Sequence, residues 1–508
     1  MGFAIAKSVA LSGLIGNLID VEVDIAEGVP GLVLLGLPDA ALAESRDRVR
    51  AAIVNSGESW PNRKVTISLS PAWLPKSGSN FDLPIALALI AAQNLLPESA
   101  LAEIVCLGEL SLDGQLKQIR GVLPSVLAAR KNGAKRVIVP AANYFEASCI
   151  DGIEVIGVSS LRDATQFLRT GEVIAINESQ SENADLKPHL DLMDVAGQLR
   201  PRKALEYATI GGHHLLFIGP PGTGKTMLAE RIPSIMPPLT QAATLEVTAI
   251  HSIAGNLGNR GLLSTLPPFV SPHHTTTTPA MVGGGSNFIK PGATSLAHHG
   301  VLFIDEAPEC ARGVLDSLRQ PLESGSVTIS RSSASITYPA KFMLVLAANP
   351  CPCGRYSGRG RGCSCSAISI RRYLQKLSGP LLDRIDIRVF VEPPSRVELA
   401  SEELGEGSEV VRDRVILARG IAAERFKDYE WKLNSQIPPA LLRKRFAATR
   451  EGMRYLNGEL EKERISARGF HKVLRLAWSI ADSLNHQTPT EEDVISAFEF
   501  REGSEIFN

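Results

Sequence analysis

Apolar residues recur along this chain with different spacings, and each spacing predicts a different kind of element. Early on the spacing is two. Val21, Val23 and Ile25 alternate with acids, and Val65, Ile67 and Leu69 alternate with Thr66, Ser68 and Ser70. That is the pattern of half-buried strands, whose successive side chains face opposite ways. Residues 84–95 are instead apolar and alanine-rich, which predicts a buried helix, and residues 137–140 predict a later strand. Short, wholly apolar runs follow at 215–218, 301–304 and 342–348, as in buried strands. Residues 326–338 set two β-prone runs around a small polar turn, which reads as a hairpin. Beyond residue 396 the spacing turns helical, over 412–426, 464–484 and 491–501, with Thr490 as a helix cap. Residues 178–188 are polar and without pattern, as in a linker. The chain therefore divides into an α/β domain over 1–172, a linker over 173–189, a second α/β domain over 190–395 and a helical domain over 396–508.

One loop carries chemistry. The run at 215–218 leads into Gly219, Pro220, Pro221, Gly222, Thr223, Gly224, Lys225 and Thr226, and a helical pattern follows. Strand, glycine loop and helix form the context of a phosphate-binding loop. Its amides can close around phosphates and the helix start favours negative charge. Lys225 can reach the terminal phosphates of ATP, and Thr226 can hold Mg²⁺. A chance glycine-rich loop is the competing reading. Against it, the run at 301–304 ends in Asp305 and Glu306. Two carboxylates at the end of a buried strand suit a metal partner, Asp305, and a base for water, Glu306. Together they point to ATP hydrolysis.

Composition narrows the setting. With 508 residues the chain has room for about three domains. A net charge of −1 leaves no global field to draw nucleic acid, so any such binding needs a local patch. The longest apolar run, 83–92, is too short to span a bilayer. The first residues show neither a basic leader nor a myristoylation pattern. A cytoplasmic protein without membrane partners is expected.

Several stretches are more specific than the loop alone. They are 194–198, 211–215, 272–274, 282–286, 296–302, 349–354 and 378–386. With them the chain resembles the AAA+ ATPases of the magnesium-chelatase-like group, and within it the YifB/ComM family, over nearly its whole length. The resemblance implies a P-loop AAA+ parallel-sheet domain with a helical lid, and a ring of six copies. ComM proteins are DNA helicases that drive branch migration during natural transformation, and a similar motor is implied here. By the same resemblance Asn349 matches the sensor that positions the attacking water; an Asn capping a strand end is the plainer reading. Arg384 matches an arginine finger acting on a neighbouring subunit, against a simple ion pair with Asp383 or Asp386. Arg468 matches a second sensor, against a solvent-facing helix residue. Val195 and Gln198 match positions that bracket adenine, or are packing residues.

Four of the seven cysteines, Cys351, Cys353, Cys363 and Cys365, fall close together. The other three, Cys106, Cys149 and Cys310, are scattered, which argues against a disulfide framework. A four-thiol cluster suits tetrahedral Zn²⁺, although the spacing within each pair is C-x-C rather than C-x-x-C. Reduced thiols in a loop are the alternative. Arg355, Arg359 and Arg361 share the segment with Tyr356, and Arg371, Arg372 and Tyr373 follow. Cations among aromatics suit a nucleic acid backbone with stacked bases, or simply a solvated loop. In related motors a hairpin placed like 326–338 enters the ring pore, and Arg331 at its tip is the residue for phosphate contact.

Residues 74–79 and 108–140 resemble the proteolytic domain of Lon proteases, which implies a Lon-protease-like (S5-like) α/β domain. The positions of the Lon serine and lysine fall on Asn80 and Ser125, neither of which can do that chemistry. Ser79 and Lys117 lie close enough in sequence for a shifted register. Three other functions compete with a DNA motor: a chelatase motor subunit, an ATP-dependent protease and a non-catalytic scaffold. The Lon-like domain, Asn80 with Ser125, and the complete loop with its carboxylates argue against them in turn.

Overall fold

The structure is a computed structural model that describes residues 2–36, 40–74, 76, 80–172, 190–257, 265–285, 289–331, 335–356, 362–395, 398 and 405–502. The expected linker at 173–189 lies outside them.

The period-two stretches form strands as expected. Strand Ile15–Ala26 pairs antiparallel with Gly2–Ser12 on one side and Lys64–Ser70 on the other. Register places Val21 between Ala6 and Leu69, and Val23 between Ala4 and Ile67. The alternation thus lays one apolar face across three strands, and Val21, Val23, Ile67 and Leu69 are buried. The seven-stranded sheet runs Gly31–Leu35, Lys64–Ser70, Ile15–Ala26, Gly2–Ser12, Ile104–Cys106, Arg136–Pro140 and Glu154–Val158. Helix Asp82–Ala92 lies against it with ten of its eleven residues buried. It starts earlier than the apolar run suggests. Buried Asp82 is held there by the Arg48 guanidinium at 3.0 Å and the Leu110 amide at 3.2 Å.

The second sheet is all parallel, in the order Phe269–Val270, Val301–Ile304, Met343–Ala348, Leu215–Ile218 and Ile387–Phe390. Its central strands are apolar throughout because both faces are covered. Leu215, Phe217, Val301, Phe303 and Val345 share one core with the C-terminal helices. Leu216, Ile218, Leu302, Ile304 and Leu346 belong to the core on the opposite face. The chain order of the strands brings the ends of 215–218, 301–304 and 343–348 side by side, which sets up the site below.

The C-terminal helices are Ser408–Arg425, Arg450–Glu461, Ala467–Ser483 and Glu491–Glu502. Thr490 caps the last as expected: its hydroxyl accepts from the Asp493 amide at 3.3 Å, and the Asp493 carboxylate accepts from the Thr490 amide at 2.8 Å. Helix Arg450–Glu461 was not foreseen. Gly452, Leu456 and Glu459 of it are buried, and Met453, Tyr455 and Leu460 pack half-buried against the core. Its start is fixed by the Thr449 hydroxyl.

The two sheets are tied together. Helix Gln241–Ala254 reaches across to helix Val122–Lys131, and Ala249 joins the core of Val122, Leu123 and Val126. The Ser252 hydroxyl donates to buried Glu146. The expected hairpin forms from Ser326–Ser330 and Ser335–Pro339. Its inner residues Val327, Ile329 and Tyr338 pack with Ile253, and Leu11 and Leu14 from the first sheet close over them. Gly13 sits at φ +61°, and a Cβ there would lie 2.7 Å from Ile336, so that turn needs glycine both for its conformation and for the close approach. Among the described residues no helix is long and apolar enough to cross a membrane.

Candidate active site

The glycine loop leaves strand Leu215–Ile218 and enters helix Lys225–Glu230. Gly219 passes under the end of the neighbouring strand; a Cβ there would lie 2.3 Å from the Val391 carbonyl. Gly222 and Gly224 adopt φ of +77° and +90°, with open space where a side chain would project. Backbone of that kind presents amides to a ligand rather than side chains. Lys225 is buried at the base of the loop. Its ammonium donates to the carbonyls of Gly219 at 2.7 Å and Pro220 at 2.8 Å, and to Asn349 Oδ1 at 3.3 Å. Burial pushes its pKa down, while Asp305 and Glu306 act against that shift.

Asn349 stands one residue past strand Met343–Ala348, so the parallel sheet itself brings it to Lys225. Asp305 and Glu306 follow strand Val301–Ile304. The Thr226 hydroxyl donates to Asp305 Oδ2 at 2.7 Å. A hydroxyl and a carboxylate in contact are hard oxygen donors, the set that suits Mg²⁺ beside phosphates. Glu306 takes a left-handed conformation at φ 49°, unusual for a residue with a side chain. His274 Nδ1 lies 3.3 Å from its Oε2. His274 reaches it from the loop after strand Phe269–Val270. Sequence reading found that histidine as part of a motif but assigned it no partner.

Gln198 closes the side of the loop. Its amide donates to the carbonyls of Glu392 at 2.6 Å and Thr223 at 3.3 Å. It also lines a cavity of about 370 Å³ with Pro201, Arg388, Phe390 and Pro394, a concave site next to the phosphate loop. Val195 is not part of that lining; its side chain is packed in the core.

Arg384 and Arg468 stand apart from the loop. Arg384 pairs with Glu323 and donates to the Pro380 carbonyl at 2.6 Å. The expected alternative, a pair with Asp383 or Asp386, is not what forms. Asp383 is taken by Arg468 at 2.6 Å and Asp386 by Lys472 at 2.6 Å. Arg468 is exposed, as its plainer reading had it, and still holds that pair.

The four clustered cysteines converge. Sγ separations are 3.3 Å for Cys351 and Cys353, 3.7 Å for Cys351 and Cys363, and 3.6 Å for Cys353 and Cys363. All four sulfurs lie within 4.8 Å of one another. The Arg355 amide, then the Cys351 thiol, draw Cys353 down to about 6. By contrast burial pushes Cys106 up to about 12 and Cys310 up to about 11, as for inert core thiols. Arg331 and Arg355 are exposed, whereas Arg359 and Arg361 lie outside the described residues. Tyr373 is 4% exposed; it packs inside and is closed to base stacking, contrary to expectation.

A second cluster, Glu246 with His298 and His299, brings ligand atoms equally close. There the Lys341 amide donates to His298 Nδ1 at 3.0 Å, which leaves the ring proton on Nε2, facing Glu246 Oε2 at 3.2 Å. That arrangement is a hydrogen bond rather than a metal ligand. At the Lon-like positions, Ser125 is buried and donates to the Gly121 carbonyl at 2.7 Å. Asn80 contributes its carbonyl to the Gly108 amide. Lys117 is exposed in a two-residue strand, and Ser79 lies outside the described residues.

Three family descriptions match successive parts of the chain. Residues 21–143 match subunit ChlI of Mg-chelatase, 191–399 match magnesium chelatase, subunit ChlI, and 405–501 match its C-terminal part. An uncharacterized protein of Mycobacterium tuberculosis is 47% identical over 504 residues, 99% of each chain. Competence protein ComM of Haemophilus influenzae is 39% identical over 507 residues, 99% of this chain and 98% of that one. Uncharacterized protein YifB of Escherichia coli is 40% identical over 502 residues, 99% and 97%. A shorter match of 34% identity over 94 residues joins 18% of this chain to Lon protease 2 of Bacillus subtilis. Loop, carboxylates, strand order and full-length similarity agree: the chain belongs to the YifB/ComM family of magnesium-chelatase-like AAA+ proteins, with a Lon-like α/β domain ahead of the P-loop domain and its helical lid.

Proposed function

We propose that this protein hydrolyses ATP and uses the energy to move DNA, as a branch-migrating helicase in recombination such as follows natural transformation. The observation that supports it most is the meeting of Lys225 with Asn349 and of Thr226 with Asp305 at the ends of three parallel strands. Bound ATP with Mg²⁺ would supply the phosphoanhydride and its leaving group. The loop amides and Lys225 neutralise phosphate charge, and Thr226 and Asp305 hold the Mg²⁺. Asn349 orients the attacking water and Glu306 takes its proton. Gln198, which lines the adjoining cavity, marks the adenine side. Arg384 and Arg468 engage Glu323 and Asp383 of their own chain rather than the loop. In this reading the chains form a ring of six copies, in which the two arginines serve a neighbour's site.

For DNA the support is the printed name of the competence relative and the exposed Arg331 on the hairpin and Arg355 beside the cysteines. Arg359 and Arg361 extend that patch in this reading. Zn²⁺ in the cysteine cluster and a cytoplasmic setting belong to it as well. The family descriptions favour a second reading, a chelatase-like motor that remodels a protein partner. The test is a labelled four-stranded DNA junction offered with ATP and Mg²⁺, in parallel with a tetrapyrrole metal-insertion assay. ATP-dependent junction resolution that is lost in Lys225→Ala supports the DNA motor. An inert junction with stimulated metal insertion supports the second reading.

A further inference from the structure

The cysteine cluster is built against the ATP site. Cys351 is fully buried two residues after Asn349. Gly354, at φ +74°, turns the loop so tightly onto the phosphate loop that a Cβ would lie 2.7 Å from the Pro221 ring. Its amide donates back to the Cys351 carbonyl at 2.9 Å. Helix Ala367–Leu374 starts two residues past Cys365 and carries buried Tyr373 inward. There the Tyr373 ring comes near the Asn349 backbone. The described residues 349–356 and 362–373 therefore form a clip on the ATP site: Tyr373 lies near Asn349, Gly354 presses on Pro221, and the four sulfurs converge beside them.

The sulfurs have the arrangement of a tetrahedral thiolate set. At a zinc–sulfur distance of about 2.3 Å a tetrahedron puts sulfurs about 3.8 Å apart, and the three closest pairs lie at 3.3, 3.6 and 3.7 Å. All four thiols are free.

We propose that Cys351, Cys353, Cys363 and Cys365 bind one zinc ion as thiolates, releasing four protons, and that the metal-tied clip is a strut of the ATP site without which hydrolysis fails. The inference rests on reading the adjoining loop as an ATP-hydrolysing site. Without the metal nothing covalent or coordinate holds the two cysteine pairs together. Asn349 and the Pro221 face of the phosphate loop then lose their common support. The four cysteines are positioning residues here, since they act through Asn349 and Pro221.

The experiment removes and restores the metal in reduced full-length protein. Zinc is measured by atomic absorption before and after treatment with a thiol reagent and chelator, alongside kcat and KM for ATP and a circular dichroism spectrum. Cys363→Ser with Cys365→Ser, and separately Cys365→His, are treated alike. The expected result is about one zinc per chain, with kcat falling about tenfold or more on removal while KM and the spectrum change little. Added zinc then restores the rate, the double serine variant resembles stripped protein, and Cys365→His, which keeps a zinc ligand, retains metal and rate. Zinc that can be stripped with no loss of kcat overturns the strut and leaves the ATPase reading standing. Protein purified without zinc overturns the site. Zinc-loaded protein that hydrolyses no ATP overturns the underlying reading and the inference with it.

Discussion

In the proposed mechanism Glu306 is the residue on which the chemistry turns. It sits exposed at the strand end, in a left-handed conformation, with His274 at its carboxylate. Glu306→Gln keeps the shape but removes the base, so hydrolysis should fall about 10²–10⁴-fold. ATP affinity should persist, because Lys225 and the loop are untouched. A nucleotide-binding titration beside a phosphate-release assay checks both halves, and parental turnover would remove Glu306 from the role. The loop, Asp305, Glu306 and Asn349 could all be read from the sequence, because each follows directly on an apolar run that names its strand. His274 could not, since a loop far from Glu306 along the chain brings it there. Arg384's partner was misjudged for a related reason. Asp383 and Asp386 are its sequence neighbours, but Asp383, just past helix Gly379–Leu382, meets Arg468, and Asp386, just before strand Ile387–Phe390, meets Lys472, which leaves Glu323 to pair with Arg384.

Among the elements, the parallel strands hold together through one half-buried residue of the 211–215 stretch that has no assigned chemistry. His214 precedes strand Leu215–Ile218. Its ring Nδ1 accepts from the Leu344 amide at 3.1 Å, its amide donates to Asp386 at 3.0 Å, and its carbonyl accepts from the Asp386 and Ile387 amides. It thus ties three strands at one point. Burial lowers its pKa to about 4; nearby Asp386 opposes that shift, and Lys472 and His213 reinforce it. The unfolded chain takes up this proton below about 6.5 and the folded chain only near 4, so the unfolded state binds more protons in between. Stability should therefore fall as pH drops from about 6.5 to 4, by at most about 1.4 kcal/mol per pH unit from this group. Urea midpoints at pH 7 and pH 4.5 measure the loss, and His214→Gln should shrink it. An unchanged loss would assign the acid sensitivity elsewhere, for instance to His298, which burial also holds at about 4. The elements with strong period, such as strands Ile15–Ala26 and Lys64–Ser70, were plain from the sequence. Helix Arg450–Glu461 was missed although Met453, Leu456 and Leu460 give it an apolar stripe, because Gly452 and Gly458 lower its helix propensity. The docking of Leu11 and Leu14 onto the hairpin was hidden because it joins distant parts of the chain.

At the scale of the whole molecule, the account requires neighbouring copies. Arg384 and Arg468 form one patch with Glu323 and Asp383, away from the loop they are proposed to complete in the next subunit. Arg384→Ala should bind ATP normally and hydrolyse it poorly. Mixed with Lys225→Ala, which spoils the loop but keeps the finger, it should regain part of the rate, since mixed rings contain intact composite sites. Mixed rings that form and stay inactive would speak against a shared site. The hairpin is proposed to connect that cycle to a substrate, since in chain order it falls between strand Val301–Ile304, which carries the carboxylates, and strand Met343–Ala348, which leads to Asn349. With a net charge of −1 the chain has no general attraction for DNA, so contact depends on local cations such as Arg331. The most direct test is the ATPase rate of assembled protein with and without forked DNA at low salt, for the parent chain and Arg331→Ala. The account predicts that DNA raises the parent rate, that rising salt abolishes the increase as phosphate contacts weaken, and that Arg331→Ala keeps the DNA-free rate but loses most of the stimulation. A rate indifferent to DNA, from protein that hydrolyses ATP, would contradict it.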